Sequence, residues 1–157
     1  MLGAAGGIVS SVSSAEIYAN MQTGTLDAAI TSSTSLISYR LDELAKNLTT
    51  GRGKSFWYML EPLLMSKSVY DGLSADAKKA ITDVGESMQA FGLAEAKKDD
   101  EQIAGIYIKA GVKVADMDSA AIDRWRKIAE AEAWTDFAGR NADCARFLKL
   151  AQGVSAA

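Results

Sequence analysis

The sequence contains no histidine, and this absence excludes more functions than any other feature of its composition. Histidine is the commonest metal ligand in proteins and the usual general base near neutral pH. Without it, neither a Ser-His-Asp triad nor a Cys-His pair can form. We therefore expect a protein that is not an enzyme and that holds no metal or other cofactor.

Cysteine is almost as scarce, because Cys144 is the only one in the chain. A single cysteine permits neither an internal disulfide nor a metal site built from several thiolates. Unpaired cysteine is among the most buried residue types, so we expect Cys144 to pack as a small hydrophobic side chain.

Long apolar runs and an excess of basic charge are also missing. No run approaches the roughly 18 consecutive apolar residues of a membrane-spanning helix. The first basic residue is Arg40, so the apolar start of this sequence lacks the positively charged segment that opens an export signal. With 17 basic and 20 acidic residues, the net charge of -3 gives no electrostatic reason to expect nucleic acid as a partner.

The segment 74–111 contains no proline and has the residue spacing of one very long helix. Ser74 is suited to be its N-cap, and Gly111 is suited to end it. Its apolar residues step by three and four along one face, and they are Ala77, Ile81, Val84, Met88, Phe91, Ile103, Ile106 and Ala110. This face lapses over residues 95–102, where only Ala96 is apolar, so the helix cannot pack along its whole length on one small core.

The residues before this helix predict an α/β arrangement. The apolar run 7–12 is typical of a strand, Ser13 or Ser14 can cap a helix over 15–23, and the run 26–31 has the pattern of a buried strand. A cluster of hydroxyl side chains follows at Thr31, Ser32, Ser33, Thr34 and Ser35. Polar loops at strand ends are where open α/β sheets usually bind ligands, so this cluster is a candidate site.

Further elements are predicted on both sides of the long helix. Leucines at positions 41, 44 and 48 predict a helix over 36–48, and the aromatic segment 55–66 predicts a mostly buried strand with an edge or bend at Pro62. After the long helix we predict a strand over 112–117, a helix over 119–138 and a final helix over 141–152. Their expected core-facing residues are Ile122, Trp125, Ile128, Ala129, Trp134, Phe147, Leu148 and Leu150.

The loop GRGKS, residues 51–55, ends like a phosphate-binding loop, but it does not complete that motif. The glycine required five residues before Gly53 falls on Leu48, and an aromatic strand follows where the motif needs a helix. Arg52 and Lys54 still place two cations on one loop, which would suit a small carboxylate. A plain solvated turn explains them equally well.

Phe56, Trp57 and Tyr58 are three successive aromatic residues on the predicted strand. Successive strand side chains point to opposite faces, so Phe56 and Tyr58 share one face and Trp57 takes the other. At least one of them is then available to line a cleft, although packing in the core remains the simpler alternative.

Two sets of acidic residues have structural interpretations. Asp99, Asp100 and Glu101 are consecutive on the long helix, where their side chains diverge and cannot converge on one cation. We expect all three on a solvated helix face. Glu16 is expected to serve the first turn of its own helix.

The segment EIYANMQTGTLDAAI, followed by a polar loop, an aromatic strand and a very long charged helix, resembles the DctP family. These are solute-binding proteins of tripartite ATP-independent periplasmic (TRAP) transporters, which show an E-x-Y-x-A-L-Q-x-G-x-x-D-G segment. The matching residues here are Glu16, Tyr18, Gln22, Gly24 and Asp27. Asn20, Met21 and Ala28 depart from the pattern, where the family has alanine, leucine and glycine.

The resemblance implies an α/β fold like that of type II periplasmic binding proteins, with a long spine helix running across two lobes. It implies a periplasmic protein that binds a small organic anion, often a carboxylate, and delivers it to the membrane permease subunits of a TRAP transporter. Family members are longer, and their N-terminal part carries the signal peptide and an arginine that pairs with the ligand. Residues 1–73 would then belong mainly to the second lobe, 74–111 to the interlobe helix, and 112–157 to a strand and the C-terminal helices.

The resemblance also assigns candidate solute-binding residues. Ser14, Thr31 with Ser32, and Phe56 with Trp57 match cleft-facing positions of the family, and Thr31 stands where the family commonly has asparagine. Local chemistry adds Ser33, Arg52 and Tyr58. For each hydroxyl, a turn or cap role is equally open.

Two further expectations concern the long helix. Part of its apolar face should be exposed, since this chain lacks most of the first lobe. The alternative to solute binding is a helical protein-interaction module, whose long helix and exposed aromatic residues would dock a partner protein or a second copy of the chain.

Overall fold

The protein is described by a computed structural model over residues 1–50, 52 and 62–154. Phe56, Trp57 and Tyr58, with most of the predicted aromatic strand, lie outside these residues. The chain divides into two compact units. The central unit is Ser13–Ala115, and the terminal unit combines Met1–Val12 with Asp116–Ala157.

The central unit consists mainly of helices with one short sheet. Its elements are helix α1 (Ser14–Gln22), helix α2 (Ser33–Ser38), a 3₁₀ turn (Leu41–Glu43), strand β1 (Asn47–Thr50), helix α3 (Lys67–Asp71), helix α4 (Ala75–Lys109) and strand β2 (Lys113–Asp116). Strands β1 and β2 pair in a two-stranded sheet, and the unit boundary falls before the last residue of β2. The predicted strand after the long helix is therefore confirmed.

The long helix is also confirmed, and its ends lie where the sequence places them. The Ser74 hydroxyl accepts a hydrogen bond of 3.2 Å from the backbone N–H of Ala77, which satisfies one of the unpaired N–H groups of the first turn. At the other end, Gly111 has φ +82°, a left-handed conformation that glycine adopts without the steric cost of a Cβ.

The first half of α4 presents an apolar stripe, formed by Ile81, Val84, Met88 and Phe91. These four side chains are 40, 59, 49 and 56% exposed, respectively. Their spacing of three and four residues places them on one helix face. The expectation that part of the apolar face is exposed is thus confirmed.

The second half of α4 carries the core of the central unit. Ile103 and Tyr107 pack with Leu48 of β1 and with Val112, and each of the four is at least 93% buried. The partly buried residues around this cluster are Leu36, Ile37, Ala45, Ile106 and Val114. The core therefore joins α2, α4, β1 and β2 at one end of the long helix.

The strands predicted over 7–12 and 26–31 are wrong, because both segments lack strand structure. Ile8 is fully exposed, and Ile30 is 47% exposed. Strands are stabilised by cross-strand pairs and by one buried face, and within the described residues neither segment has a pairing strand. The α/β character of the central unit comes instead from β1 and β2 beside α4.

The helix predicted over 36–48 is also wrong. Helix α2 ends at Ser38, Arg40 adopts φ +53°, and the chain continues through the 3₁₀ turn into β1. Leu41 and Leu48 are both buried, as expected of their apolar side chains, but they reach the interior from two different elements. Tertiary packing here overrides the helical spacing of the leucines.

The terminal unit is helical. It contains a 3₁₀ turn (Gly3–Ala5), helix α5 (Ser119–Ile128), a π-helical stretch (Ala129–Trp134), helix α6 (Thr135–Gly139) and helix α7 (Ala142–Gln152). The helix predicted over 119–138 is therefore interrupted by a π-helical stretch, and its N-cap is Asp118, whose Oδ1 accepts a 2.6 Å bond from the N–H of Ala121. Its predicted core-facing residues are all half-buried.

The final helix begins as predicted, since the Asn141 side-chain oxygen accepts a 2.9 Å bond from the N–H of Cys144. Cys144 is a free thiol and is only half-buried, so the expectation of a buried cysteine is wrong. Phe147 and Leu150 are mostly exposed, and only Leu148 of the predicted apolar side is half-buried. None of the helices in the described ranges is both long and apolar enough to cross a membrane.

Candidate functional site

The first group of predicted site residues lies at the start of α1. Ser14 is the first residue of the helix and is half-buried. The preceding Ser13 makes the cap contacts, because its hydroxyl and its backbone N–H donate to the Glu16 carboxylate at 2.8 and 3.2 Å. Glu16 thus serves the first turn, as predicted, and the hydroxyl of Ser14 is not required for that role.

The second group lies at the start of α2. The Ser32 hydroxyl accepts a hydrogen bond from the N–H of Ser35 at 3.2 Å and donates to the Ser35 hydroxyl at 3.0 Å. Ser32 is therefore the N-cap of α2, and Thr31 and Ser33 flank it in half-buried positions. The predicted polar loop at a strand end is instead a helix start, because no strand forms over 26–31.

The structure brings together only part of the predicted site. Thr31, Ser32 and Ser33 are adjacent at the start of α2, and Ser14 lies on another helix of the same unit. Arg52 is an exposed turn residue that follows β1. Phe56, Trp57 and Tyr58 lie outside the described residues, and their role stays a prediction.

Helix α1 is connected to the segment that follows α2. The Tyr18 hydroxyl donates a 2.8 Å hydrogen bond to the Glu43 carboxylate, which also forms an ion pair with Arg40. The hydrogen bond to this carboxylate raises the pKa of Tyr18, because it favours the protonated phenol. This hydrogen bond therefore links the middle of α1 to the 3₁₀ turn that follows α2.

Helix α2 is held against α4 by two hydrogen bonds that the sequence does not predict. The Thr34 hydroxyl donates to Asp99 Oδ2 at 2.6 Å, and the Tyr107 hydroxyl donates to the backbone carbonyl of Leu36 at 3.1 Å. Tyr107 is only 1% exposed, and burial raises its pKa to about 12.

The expectation that Asp99 is solvated is therefore wrong, although Asp100 and Glu101 are exposed as predicted. Asp99 is half-buried because α2 packs beside it. Its spacing of four and eight residues from Ile103 and Tyr107 places all three on one helix face. This spacing can be read from the sequence and indicates that Asp99 lies on the buried face of α4.

A cleft of about 510 Å³ lies elsewhere in the central unit, at the end of α4. Its walls include two carboxylates and two ammonium groups, from Asp42, Glu43, Lys46 and Lys113. Of the predicted solute-binding residues that the structure describes, none lines this cleft. Its two acidic and two basic side chains balance in charge, so they give no net attraction for an anion. Within the described residues there is no group of three or more acidic or cysteine side chains placed to hold a metal ion.

Residues 1–140 match the model of DctP, the bacterial extracellular solute-binding protein family 7. The chain belongs to the DctP family. A protein of Albidiferax ferrireducens described as a solute-binding protein is 51% identical over 148 residues, which is 94% of this chain and 44% of that protein.

A solved structure extends this comparison with the DctP family to three dimensions. The crystal structure of a TRAP periplasmic solute-binding protein from Rhodoferax ferrireducens with bound malonate is 51% identical to this chain. The two superpose with a TM-score of 0.91 over 96% of this chain and 48% of that one. This chain therefore spans about half the length of these relatives.

The superposition confirms the fold class that the resemblance implied. The chain follows the fold of a TRAP periplasmic solute-binding protein, with short strands, a long helix and C-terminal helices.

Proposed function

We propose that this chain is part of the solute-binding component of a TRAP-type transporter and contributes to the capture of a small organic acid. The observation that carries the proposal is the similarity to a malonate-bound TRAP periplasmic protein, at 51% identity and a TM-score of 0.91. Family membership over residues 1–140 supports the same role.

The proposed contacts to the solute are hydroxyl groups near the start of α2. Thr31 and Ser33 are half-buried, and each offers a hydroxyl donor to a carboxylate oxygen. Ser32 shapes this position because its hydroxyl is engaged with Ser35. Ser14, Arg52 and the aromatic residues Phe56, Trp57 and Tyr58 complete the proposed site.

We further propose that the protein acts outside the cytoplasm, delivers the solute unchanged to TRAP permease subunits and catalyses no reaction. The extracellular description of the family supports the location. The lack of histidine supports binding without catalysis, since the usual acid-base residue is missing.

Malonate binding is the direct test, performed on the product of the complete coding sequence. We expect malonate to raise the unfolding temperature in a concentration-dependent way, because a ligand that binds only the folded state stabilises it. Malonamide is the matched control, since it has the same carbon skeleton without the charges. If neither malonate nor any other small carboxylate at millimolar concentration shifts the transition, the proposal is wrong.

The same titration tests the α2 hydroxyls. We expect Thr31→Val to weaken malonate binding by about tenfold, because a hydrogen bond to a charged group contributes about 1.5–3 kcal/mol. Thr49→Val is the control, since Thr49 is exposed on β1 and is not among the proposed contacts. Equal affinities for the two variants would remove Thr31 from the site.

We also infer that the apolar stripe of α4 is covered in the complete protein, by the part of a DctP-family protein that lies outside the matched half. The four exposed side chains of the stripe and the 48% coverage of the structural relative support this two-lobed arrangement. The alternative is an interaction module in which a second copy covers the same stripe.

Dye binding and size-exclusion chromatography separate these arrangements. We expect the 157-residue chain alone to bind a hydrophobic dye, and Met88→Lys with Phe91→Lys to reduce that signal strongly. Glu86→Lys is the control, because Glu86 is exposed on the same helix. The product of the complete coding sequence should be monomeric and bind little dye; a dimer that the stripe variant dissociates would favour the alternative.

A further inference from the structure

Helix α2 is too short to be stable alone, so contacts with other elements determine where its first turn lies. It contains six residues, and isolated helices of fewer than about 12 residues are marginal in water. The candidate residues Thr31, Ser32 and Ser33 occupy its N-terminal end. Whatever fixes this turn therefore fixes the candidate hydroxyls.

Two side chains of α4 contact α2 at different depths. Tyr107 is buried in the core and donates to the Leu36 carbonyl, which holds the middle of α2. Asp99 lies two turns earlier on the same face of α4, where it is half-buried and accepts the short 2.6 Å bond from Thr34. Charged acceptors at such short distances form the stronger class of hydrogen bond.

We propose that Asp99 is a positioning residue for the solute site. Its carboxylate fixes Thr34 in the first turn of α2 and thereby holds Thr31 and Ser33 in the geometry that a solute carboxylate requires. Asp99 is only half-buried, whereas Ile103 and Tyr107 of the core are at least 98% buried. Loss of the Asp99 acceptor should therefore loosen the first turn of α2 while the core stays folded.

This inference rests on the proposed function, but the contact itself has a readout that needs no solute. The backbone N–H groups of Ser35 and Leu36 donate to the Ser32 hydroxyl and the Ser32 carbonyl, so their hydrogen exchange reports the opening of this turn. We expect Asp99→Ala to speed exchange of both amides by about tenfold, without a matching increase at Tyr107.

Two variants make this readout specific. Asp99→Asn keeps a neutral oxygen acceptor for Thr34 and should restore most of the slow exchange. Asp100→Ala removes the neighbouring exposed carboxylate and should leave the exchange unchanged. The proposal is overturned if hydrogen exchange of the Ser35 and Leu36 amides is unchanged in Asp99→Ala. It is also overturned if Asp100→Ala speeds that exchange as much as Asp99→Ala does.

Malonate titration of the same variants, made in the product of the complete coding sequence, then connects the contact to binding. We expect Asp99→Ala to weaken malonate binding by about tenfold and Asp99→Asn to recover most of the affinity. If the parent protein binds malonate and Asp99→Ala binds it equally well, the positioning role fails and the proposed function stands. If the parent protein binds no carboxylate, the proposed function fails, and the positioning role fails with it.

Discussion

Ile103→Ala is expected to lower the free energy of unfolding by about 2–5 kcal/mol, the range found when a buried isoleucine or leucine loses its methyl groups. Ile103 is 2% exposed and lies in the core cluster with Leu48, Tyr107 and Val112. The substitution removes apolar contacts and leaves a cavity between α4, β1 and β2. Urea unfolding followed by circular dichroism measures the loss.

Ile108→Ala is the matched control, because it makes the same change on the same helix. Ile108 is 55% exposed, and a surface substitution usually alters stability by less than about 0.5 kcal/mol. Alanine also has a higher helix propensity than isoleucine, which offsets part of any loss. Losses of similar size in the two variants would contradict the placement of the core at this end of α4.

The second large effect is a loss of stability at alkaline pH that depends on Tyr107. Burial raises the pKa of Tyr107 from 10.0 to about 12. Between these values the phenol is deprotonated in the unfolded chain but not in the folded one, so the unfolded state binds fewer protons. Stability should therefore fall as pH rises from 10 to 12, by at most about 1.4 kcal/mol per pH unit from this group.

Tyr107→Phe removes this group and should make the fall in stability between pH 10 and 12 less steep. At neutral pH the variant should be about 1–3 kcal/mol less stable, since the Leu36 carbonyl loses its donor. Tyr70→Phe is the control, because Tyr70 is more exposed and lies on α3. If the free energy of unfolding falls equally steeply with pH in the parent protein and in Tyr107→Phe, Tyr107 does not cause the loss of stability at alkaline pH.

The ends of α4 and the start of α7 were predictable from the sequence, because local side chains set them. Ser74 and Asn141 each accept a hydrogen bond from an N–H three residues ahead, and the hydroxyl or amide that does so is visible in the sequence. Gly111 ends α4 for an equally local reason, its left-handed φ. Such signals need no knowledge of the rest of the chain.

The strands were less predictable, because a strand exists only where a partner pairs with it. The apolar runs over 7–12 and 26–31 have strand-like patterns without a pairing partner in the described residues. The predicted helix over 36–48 overlaps residues 47–50, yet these residues form β1 because β2 lies beside them. Pairing of this kind depends on residues far apart along the chain.

In the candidate site, too, the local features could be predicted from the sequence and the long-range contact could not. The hydroxyl cluster at Thr31, Ser32 and Ser33 was visible as a local run of residues, and so was the capping role open to Ser32. The contact of Thr34 with Asp99 spans 65 residues and was hidden within an acidic run. Only the packing of α2 on α4 separates Asp99 from its solvated neighbours.

The sequence alone determined the family, the long helix and the positions of its caps. Motif residues and capping side chains depend only on residues close to them in the sequence. The tertiary structure decided which half of that helix is buried. The second half packs on α2, β1 and β2, whereas the stripe of Ile81, Val84, Met88 and Phe91 has the same helical spacing and is exposed. Periodicity shows that a face is apolar, but burial requires another element to lie against it.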